Sequence, residues 1–212
     1  MDKSQQVKRF FSRYVEGFDA HYDEKSGGCD RMLRRSMFLR QSMTIELLGD
    51  VTGKRILDIG IGTGRLAMAL LRGGAQVTGV DFAPQMLAAA RQRAERLGVS
   101  DRLELVEAEF MDAKLVGEFD ACVALGYYDY QTDPRPHLIR MRELAPIVLA
   151  SFPVRWHILS PQRWVRYRLL RQCYLRFYSL GELKQLAEKI RPGGWDIYSL
   201  GRDYLLHLHP PD

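Results

Sequence analysis

The sequence predicts an α/β protein: a doubly wound, Rossmann-like, mostly parallel seven-stranded sheet that ends in an antiparallel hairpin and carries a helical cap at its N-terminal side. Three observations predict it. From Lys54 onward, short apolar runs alternate with segments of helical period, which requires crossover connections and therefore parallel strands. One run opens directly into the glycine-rich turn Gly60-Ile61-Gly62-Thr63-Gly64 and then a helical pattern. The last two runs are separated only by Gly201-Arg202-Asp203, which is hairpin spacing.

In chain order, residues 1–50 read as the cap. Val7, Phe10, Phe11, Tyr14 and Phe18 recur at spacings of three and four and form one apolar stripe. After Gly27-Gly28 a second helix, from about Arg31 to Leu48, carries Met32, Leu33, Met37, Leu39, Met43, Ile45 and Leu47 among arginines. Residues 54–212 form the core. Its strands are expected at Arg55–Ile59, Gln76–Val80, Leu103–Val106, Phe119–Leu125, Pro146–Phe152, Trp195–Leu200 and Tyr204–His209. Helices fall between them at Arg65–Leu71, Pro84–Leu97 and His137–Leu144, with one more before the hairpin. No internal repeat or linker divides the chain, so 1–212 reads as one domain.

Composition fits that reading. A chain of 212 residues, 46% hydrophobic and 27% charged, can bury a full core without staples and is not a disordered class. Cys29, Cys122 and Cys173 are scattered and form no C-x-x-C pair, so neither a metal site nor a redox pair is expected. Cys122, within Ala121-Cys122-Val123-Ala124, reads as a small core hydrophobe. The start Met1-Asp2-Lys3-Ser4-Gln5-Gln6 holds no apolar leader, and no apolar run is long enough to span a bilayer; a cytoplasmic protein is expected.

The chemistry concentrates at Ile56-Leu57-Asp58-Ile59-Gly60-Ile61-Gly62-Thr63-Gly64-Arg65. Glycines let a backbone approach a ligand closely, and a helix N-terminus favours a negative group. The spacing is G-x-G-x-G, and Arg65 stands where a dinucleotide fingerprint needs its third glycine. Asp58 precedes the turn. A carboxylate there would repel a pyrophosphate and attract an ammonium. Asp81 ends the next strand, twenty-one residues beyond Gly60, where a carboxylate can accept from ribose hydroxyls. Read as structure alone, the two carboxylates would cap the turn and the helix from Pro84.

These residues resemble class I methyltransferases that depend on S-adenosylmethionine, and the resemblance runs from about Lys54 to His209. Asp58–Gly64 is similar to the family's first motif and Val80-Asp81-Phe82-Ala83-Pro84-Gln85-Met86-Leu87 to its second. Ala108-Glu109-Phe110-Met111-Asp112 is similar to the third, with Glu109 where Asp is common, and Phe119–Leu125 to the fourth strand. The resemblance implies S-adenosylmethionine as cofactor. Its site residues would be Asp58, Gly60, Gly62, Gly64, Asp81, Phe82, Met86, Glu109, Phe110, Ala124 and Leu125, with Tyr14 and Tyr22 from a covering N-terminal segment.

Methyl transfer places the acceptor beyond the fourth strand, where Tyr127-Tyr128-Asp129-Tyr130 offers an aromatic wall. Asn-Pro-Pro-Tyr and Asp-Pro-Pro-Tyr, which mark methylation of base amines and glutamine amides in this family, are absent there. A hydroxyl or amine acceptor needs a base. His137 and His157 are the candidates, with Tyr127 beside them. From Val154 to Phe177 there are six arginines and no acid, so this window alone outweighs the whole chain's +5. It predicts an anionic acceptor held by Arg155 and Arg163, with Tyr127 and Tyr130 as further contacts. A small acid, sugar acid or phosphorylated metabolite would suit it. So would a tetrapyrrole: Arg176-Phe177-Tyr178-Ser179 and Asp203-Tyr204-Leu205-Leu206 resemble magnesium-protoporphyrin O-methyltransferases over those few residues. The expected partner is a small-molecule acceptor methylated on oxygen, and the protein is expected to be a monomer or homodimer. An RNA substrate on the basic stretch, or a non-catalytic cofactor-binding protein, stays open as the alternative.

Overall fold

The computed structural model describes residues 28–155, 175–190 and 193–211. The stripe expected over Val7–Phe18 lies outside them. Helix α1 spans Gly28–Leu48, followed by β1 (Arg55–Ile59), α2 (Arg65–Arg72), β2 (Gln76–Asp81) and α3 (Pro84–Arg96). A short 3-10 turn at Ser100–Arg102 leads into β3 (Leu103–Glu107) and β4 (Ala121–Ala124). Helix α4 (Arg135–Leu144), β5 (Ile147–Pro153), α5 (Leu180–Lys189), β6 (Trp195–Ser199) and β7 (Asp203–Leu208) complete the described order.

The seven strands form one sheet in the order β3-β2-β1-β4-β5-β7-β6. Six run in one direction, and β7 is antiparallel to both β5 and β6. The expected sheet is therefore present, terminal hairpin included. The chain winds outward from β1 through β2 to β3 and then returns to β4 and β5 on the other side. Strand order reverses between β1 and β4, and ligands of such sheets bind at that reversal, beyond the carboxyl ends of the strands.

Burial follows position. In the central strands β1, β4 and β5, nearly every residue is buried because helices cover both faces. The edge strands β3 and β6 alternate instead. One face packs on Leu66, Ala67, Leu70 and Leu71 of α2, Leu87 of α3 and Leu48 of α1; the other packs on Leu138 and Met141 of α4 and Leu183 and Ala187 of α5. Cys122 is fully buried between them, and burial pushes its thiol pKa up, as expected of a core residue.

Boundaries moved by one to three residues. Helix α1 starts at Gly28, about one turn before Arg31, because glycine is costly in a helix interior but not at its first turn. Helix α4 starts at Arg135, with Pro136 in the first turn, where no amide donor is needed, and Asp133 accepting from the Arg135 N–H at 3.0 Å. Strand β4 is shorter than Phe119–Leu125. Phe119 donates to the Leu144 carbonyl, and beyond Leu125 the chain turns out of the sheet at Gly126, whose φ is 77°. No described helix is long and apolar enough to cross a membrane.

Candidate functional site

The glycine turn lies at the strand-order reversal. Gly60 and Ile61 both donate to the Val80 carbonyl, at 2.8 and 3.2 Å, so the turn is tied to the end of β2. Gly60, Gly62 and Gly64 adopt φ of 67°, 55° and 74°, the left-handed region that side chains with a Cβ avoid. Gly62 faces open space: a Cβ there would have only the Gly60 carbonyl oxygen within reach, at 4.0 Å. Gly64 caps α2 without a side chain, leaving the first N–H groups of that helix available. In β2, Gly79 has no room for a side chain, since a Cβ would lie 2.2 Å from Ile61 Cδ1.

Two carboxylates flank the turn. Asp81 is buried and accepts from the Gly62 N–H on one oxygen and the Ala83 N–H on the other, both at 2.9 Å. Burial still raises its pKa, against the pull of those two donors and of a third, the Phe82 N–H. The two oxygens carry four lone pairs between them, so one remains beside these three donors for a ribose hydroxyl. Asp81 thus braces the turn and remains able to accept from a ligand. Asp58, in register with Gly79 on one side and Val123 on the other, is 4% exposed. Burial, and then the Asp81 charge, push its pKa up to about 7. Among the described residues no cation pairs with it, so a ligand's ammonium is the partner its environment lacks. The donor set fits an S-adenosyl amino acid.

Beyond β3, Glu109 is half-buried and its charge reaches Asp81 and Tyr127. Phe110 is buried, meeting Tyr127 edge-on at 6.5 Å with the Arg140 guanidinium 5.0 Å from its ring centre. Met86 and Ala124 are also fully buried, whereas Phe82 and Leu125 are partly open.

Tyr127 follows β4 and stands over the glycine turn, since a Cβ on Gly60 would come within 3.0 Å of its ring. Its hydroxyl is 2.7 Å from His137 Nδ1 on α4. Burial, with Glu109 and Asp81, raises the phenol pKa and keeps it neutral. Burial lowers the His137 pKa despite Asp133 and Glu109, so the imidazole is neutral at pH 7 and able to take a proton. Tyr128 is spent on the core: fully buried, it stacks on Phe152 at 4.6 Å and donates to Met141 Sδ. Tyr130 is half-buried in the same loop.

Of the window's six arginines, Arg155 and Arg176 lie among the described residues, and both have partners within the protein. Arg155 pairs with Glu182 at 3.0 Å, and Glu182 also closes a capping box with Ser179 at the start of α5. Arg176 donates to the Thr132 carbonyl and lies 4.8 Å from the Tyr178 ring centre. Both have partners inside the protein, the acid coming from beyond the window. Arg163, His157, Tyr14 and Tyr22 lie outside the described residues.

One polar group at this end escaped the sequence reading. Ser36, Arg40 and Thr44 recur every fourth residue along one face of α1. The Ser36 hydroxyl donates to Asp203 Oδ2 at 2.5 Å, Arg40 Nη1 lies 3.8 Å from the same oxygen, and Ser36, Thr44 and Asp203 are buried. Only the placement of β7 beside β5 brings them to the crevice, and nothing in the arginine-rich α1 sequence singles out Arg40.

Comparison with known proteins agrees with this geometry. A family model described as a methyltransferase domain matches residues 56–145. Ribosomal protein L11 methyltransferase of Escherichia coli is 54% identical over 57 residues, covering 26% of this chain. The match spans only 20% of that enzyme's length. Among solved structures, magnesium protoporphyrin IX methyltransferase from Synechocystis PCC 6803, with bound S-adenosylhomocysteine, superposes with a TM-score of 0.80 over 98% of this chain and all of that one, at 17% identity. The [4+2]-cyclase SpnF gives 0.72 over 100% of this chain and 98% of its own, at 18% identity. At such identities the likeness is one of fold, and this fold carries more than one chemistry. The matched segment holds the glycine turn, Asp58, Asp81 and Tyr127, its likeness is to a methyltransferase domain, and the sheet order agrees with that likeness.

Proposed function

We propose that the chain methylates a small acceptor bearing an anionic group or an aromatic ring, on oxygen, with Tyr127 and His137 as the residues that handle the acceptor's proton. The observation that carries the reading is the 2.7 Å contact between Tyr127 Oη and His137 Nδ1, set at the end of β4 beside the glycine turn. The bound cofactor supplies an electrophilic methyl group on a sulfonium. The protein's own part is to hold the acceptor oxygen in line with that methyl, remove its proton and keep water out. A neutral imidazole can take a proton through the Tyr127 hydroxyl or directly, and the half-buried Tyr127 and Tyr130 offer an aromatic surface to the acceptor. Phe82, Leu125 and Glu109 border the adenosine in this reading, with Asp81 on the ribose and Asp58 on the ammonium.

The anionic preference rests on Arg163 and its neighbours in the basic window, since Arg155 is held by Glu182. Small acids, phosphorylated metabolites and tetrapyrrole carboxylates are its members. The test is a screen for S-adenosylhomocysteine release on a panel of small carboxylic acids, phenols, phosphorylated metabolites and a porphyrin, with bulk RNA as the competing substrate. Turnover of a small acid or phenol that falls in His137→Gln, with no turnover of RNA, supports the reading. Turnover of RNA alone refutes it.

A further inference from the structure

Three glycines within five residues let the turn from Gly60 to Gly64 take its left-handed path, and for the same reason they leave it loose. A turn that must stay bare toward its ligand has to be held from behind. We infer that Arg93 of α3 is a positioning residue for the cofactor: by gripping Thr63 it holds the glycine turn in the shape the cofactor fits. The inference rests on the reading of this crevice as an S-adenosyl site, and three observations carry it.

The first is the grip itself. Arg93 Nη1 donates to the Thr63 carbonyl at 2.7 Å and to the Thr63 hydroxyl oxygen at 3.1 Å, and Thr63 is buried. One guanidinium nitrogen carries two hydrogens, enough for both oxygens.

The second is which peptide planes are held. The Thr63 carbonyl and the Gly64 N–H belong to one planar unit and point opposite ways. Arg93 takes the carbonyl, and the Ile61 carbonyl takes the Gly64 N–H at 3.0 Å, so that plane is fixed at both ends. The plane between Ile61 and Gly62 is fixed by Asp81, which accepts from the Gly62 N–H at 2.9 Å. Gly62, which faces the open space, lies between the two held planes.

The third is mounting. Helix α3 follows directly on Asp81, so the acceptor and the donor that grip the turn belong to one β2–α3 unit. Ala90, one helical turn before Arg93, is fully buried and packs on the turn's backbone: a Cβ on Gly64 would lie 3.1 Å from its Cβ. The helix that carries Arg93 is thereby seated against the residue after Thr63.

The test measures S-adenosylhomocysteine binding by calorimetry on the full chain, with hydrogen exchange of the Gly64 amide followed by NMR. Arg93→Gln should weaken the ligand roughly 10-fold, the worth of one hydrogen bond to a charged group passed on through the turn, and should speed exchange at Gly64. Arg96→Gln is the control. It removes the same charge from the same last turn of α3, but this arginine is exposed and donates to Gln92 of its own helix. It should change affinity by no more than about twofold, as an exposed substitution does. Arg93→Lys, which keeps the charge and a donor but loses the planar head, should fall between the two. If Arg93→Gln does not fold, Arg93→Lys carries the test, and unchanged affinity in it overturns the inference. An Arg93→Gln that unfolds more easily in urea but binds normally makes Arg93 a structural residue and overturns the inference alone. Equal weakening by Arg96→Gln also overturns it, because charge and not contact would then be the cause. Failure of the unaltered protein to bind overturns the cofactor reading, and this inference with it.

Discussion

Asp58→Asn should make the ligand-free protein more stable and a worse binder of cofactor, and the pH dependence of that exchange is a close test of the site. Asp58 has a folded pKa of about 7 against an ordinary 3.8. The unfolded chain gives up this proton as pH passes about 4, the folded chain only near 7. Between those values the folded state holds the extra proton, so raising pH costs it stability, and above 7 the loss levels off. A difference of about three units corresponds to about 4 kcal/mol at roughly 1.4 kcal/mol per unit. Asn is nearly the same shape and carries no charge. The variant should therefore match the unaltered protein only below about pH 4 and exceed it progressively up to about pH 7, where the difference levels off at an amount on the order of those few kcal/mol. S-adenosylhomocysteine should reverse the order at pH 8, because its ammonium relieves the buried carboxylate and not the amide. The affinity lost should be roughly 10- to 100-fold, the worth of one hydrogen bond between charged groups. The assay is urea unfolding from about pH 3.5 to 8, with and without ligand. A variant less stable at pH 8 and unchanged in affinity would refute the reasoning, because Asp58 would then be a structural hydrogen-bonding group.

Asp81→Ala should weaken S-adenosylhomocysteine at least tenfold by calorimetry and also loosen the turn, since Gly62 and Ala83 lose their acceptor; full affinity would mean that Asp81 braces the turn and no more. Gly62→Val should abolish binding, by filling the open space and straining a residue at φ 55°, with S-adenosylhomocysteine no longer raising the melting temperature. Gly79→Ala should cost roughly 1–3 kcal/mol in urea unfolding, because its Cβ would lie 2.2 Å from Ile61 Cδ1 and must push the turn's own side chain aside. For the acceptor step, activity should fall on the acid side with a midpoint below 6.5, because His137 must be neutral and burial lowers its pKa. His137→Gln should remove that limb and reduce kcat roughly 100-fold or more without changing cofactor affinity; an unchanged profile would exclude His137 as the base.

Much of this protein was legible in its sequence because the information is local. Strand and helix periods, the glycine turn and the two-residue reach of Asp81 to Ala83 are written in neighbouring residues, and the structure places them as read. The hairpin is legible from its short turn, but that β7 rather than β6 pairs with β5 is decided only when the sheet assembles. The identity of Asp58 was readable as well, but its proton affinity was not, since that depends on the strands on either side and on Asp81 across the turn. Only tertiary structure decided what the arginines do. Arg155 looked unbalanced because its acid, Glu182, lies twenty-seven residues later, and Arg40 looked like one surface arginine among several until β7 folded back to set Asp203 beside it. Sequence patterns record what a residue does with its neighbours in the chain. Charge pairing and burial are settled between residues far apart in it, and they appear only when the sheet is assembled.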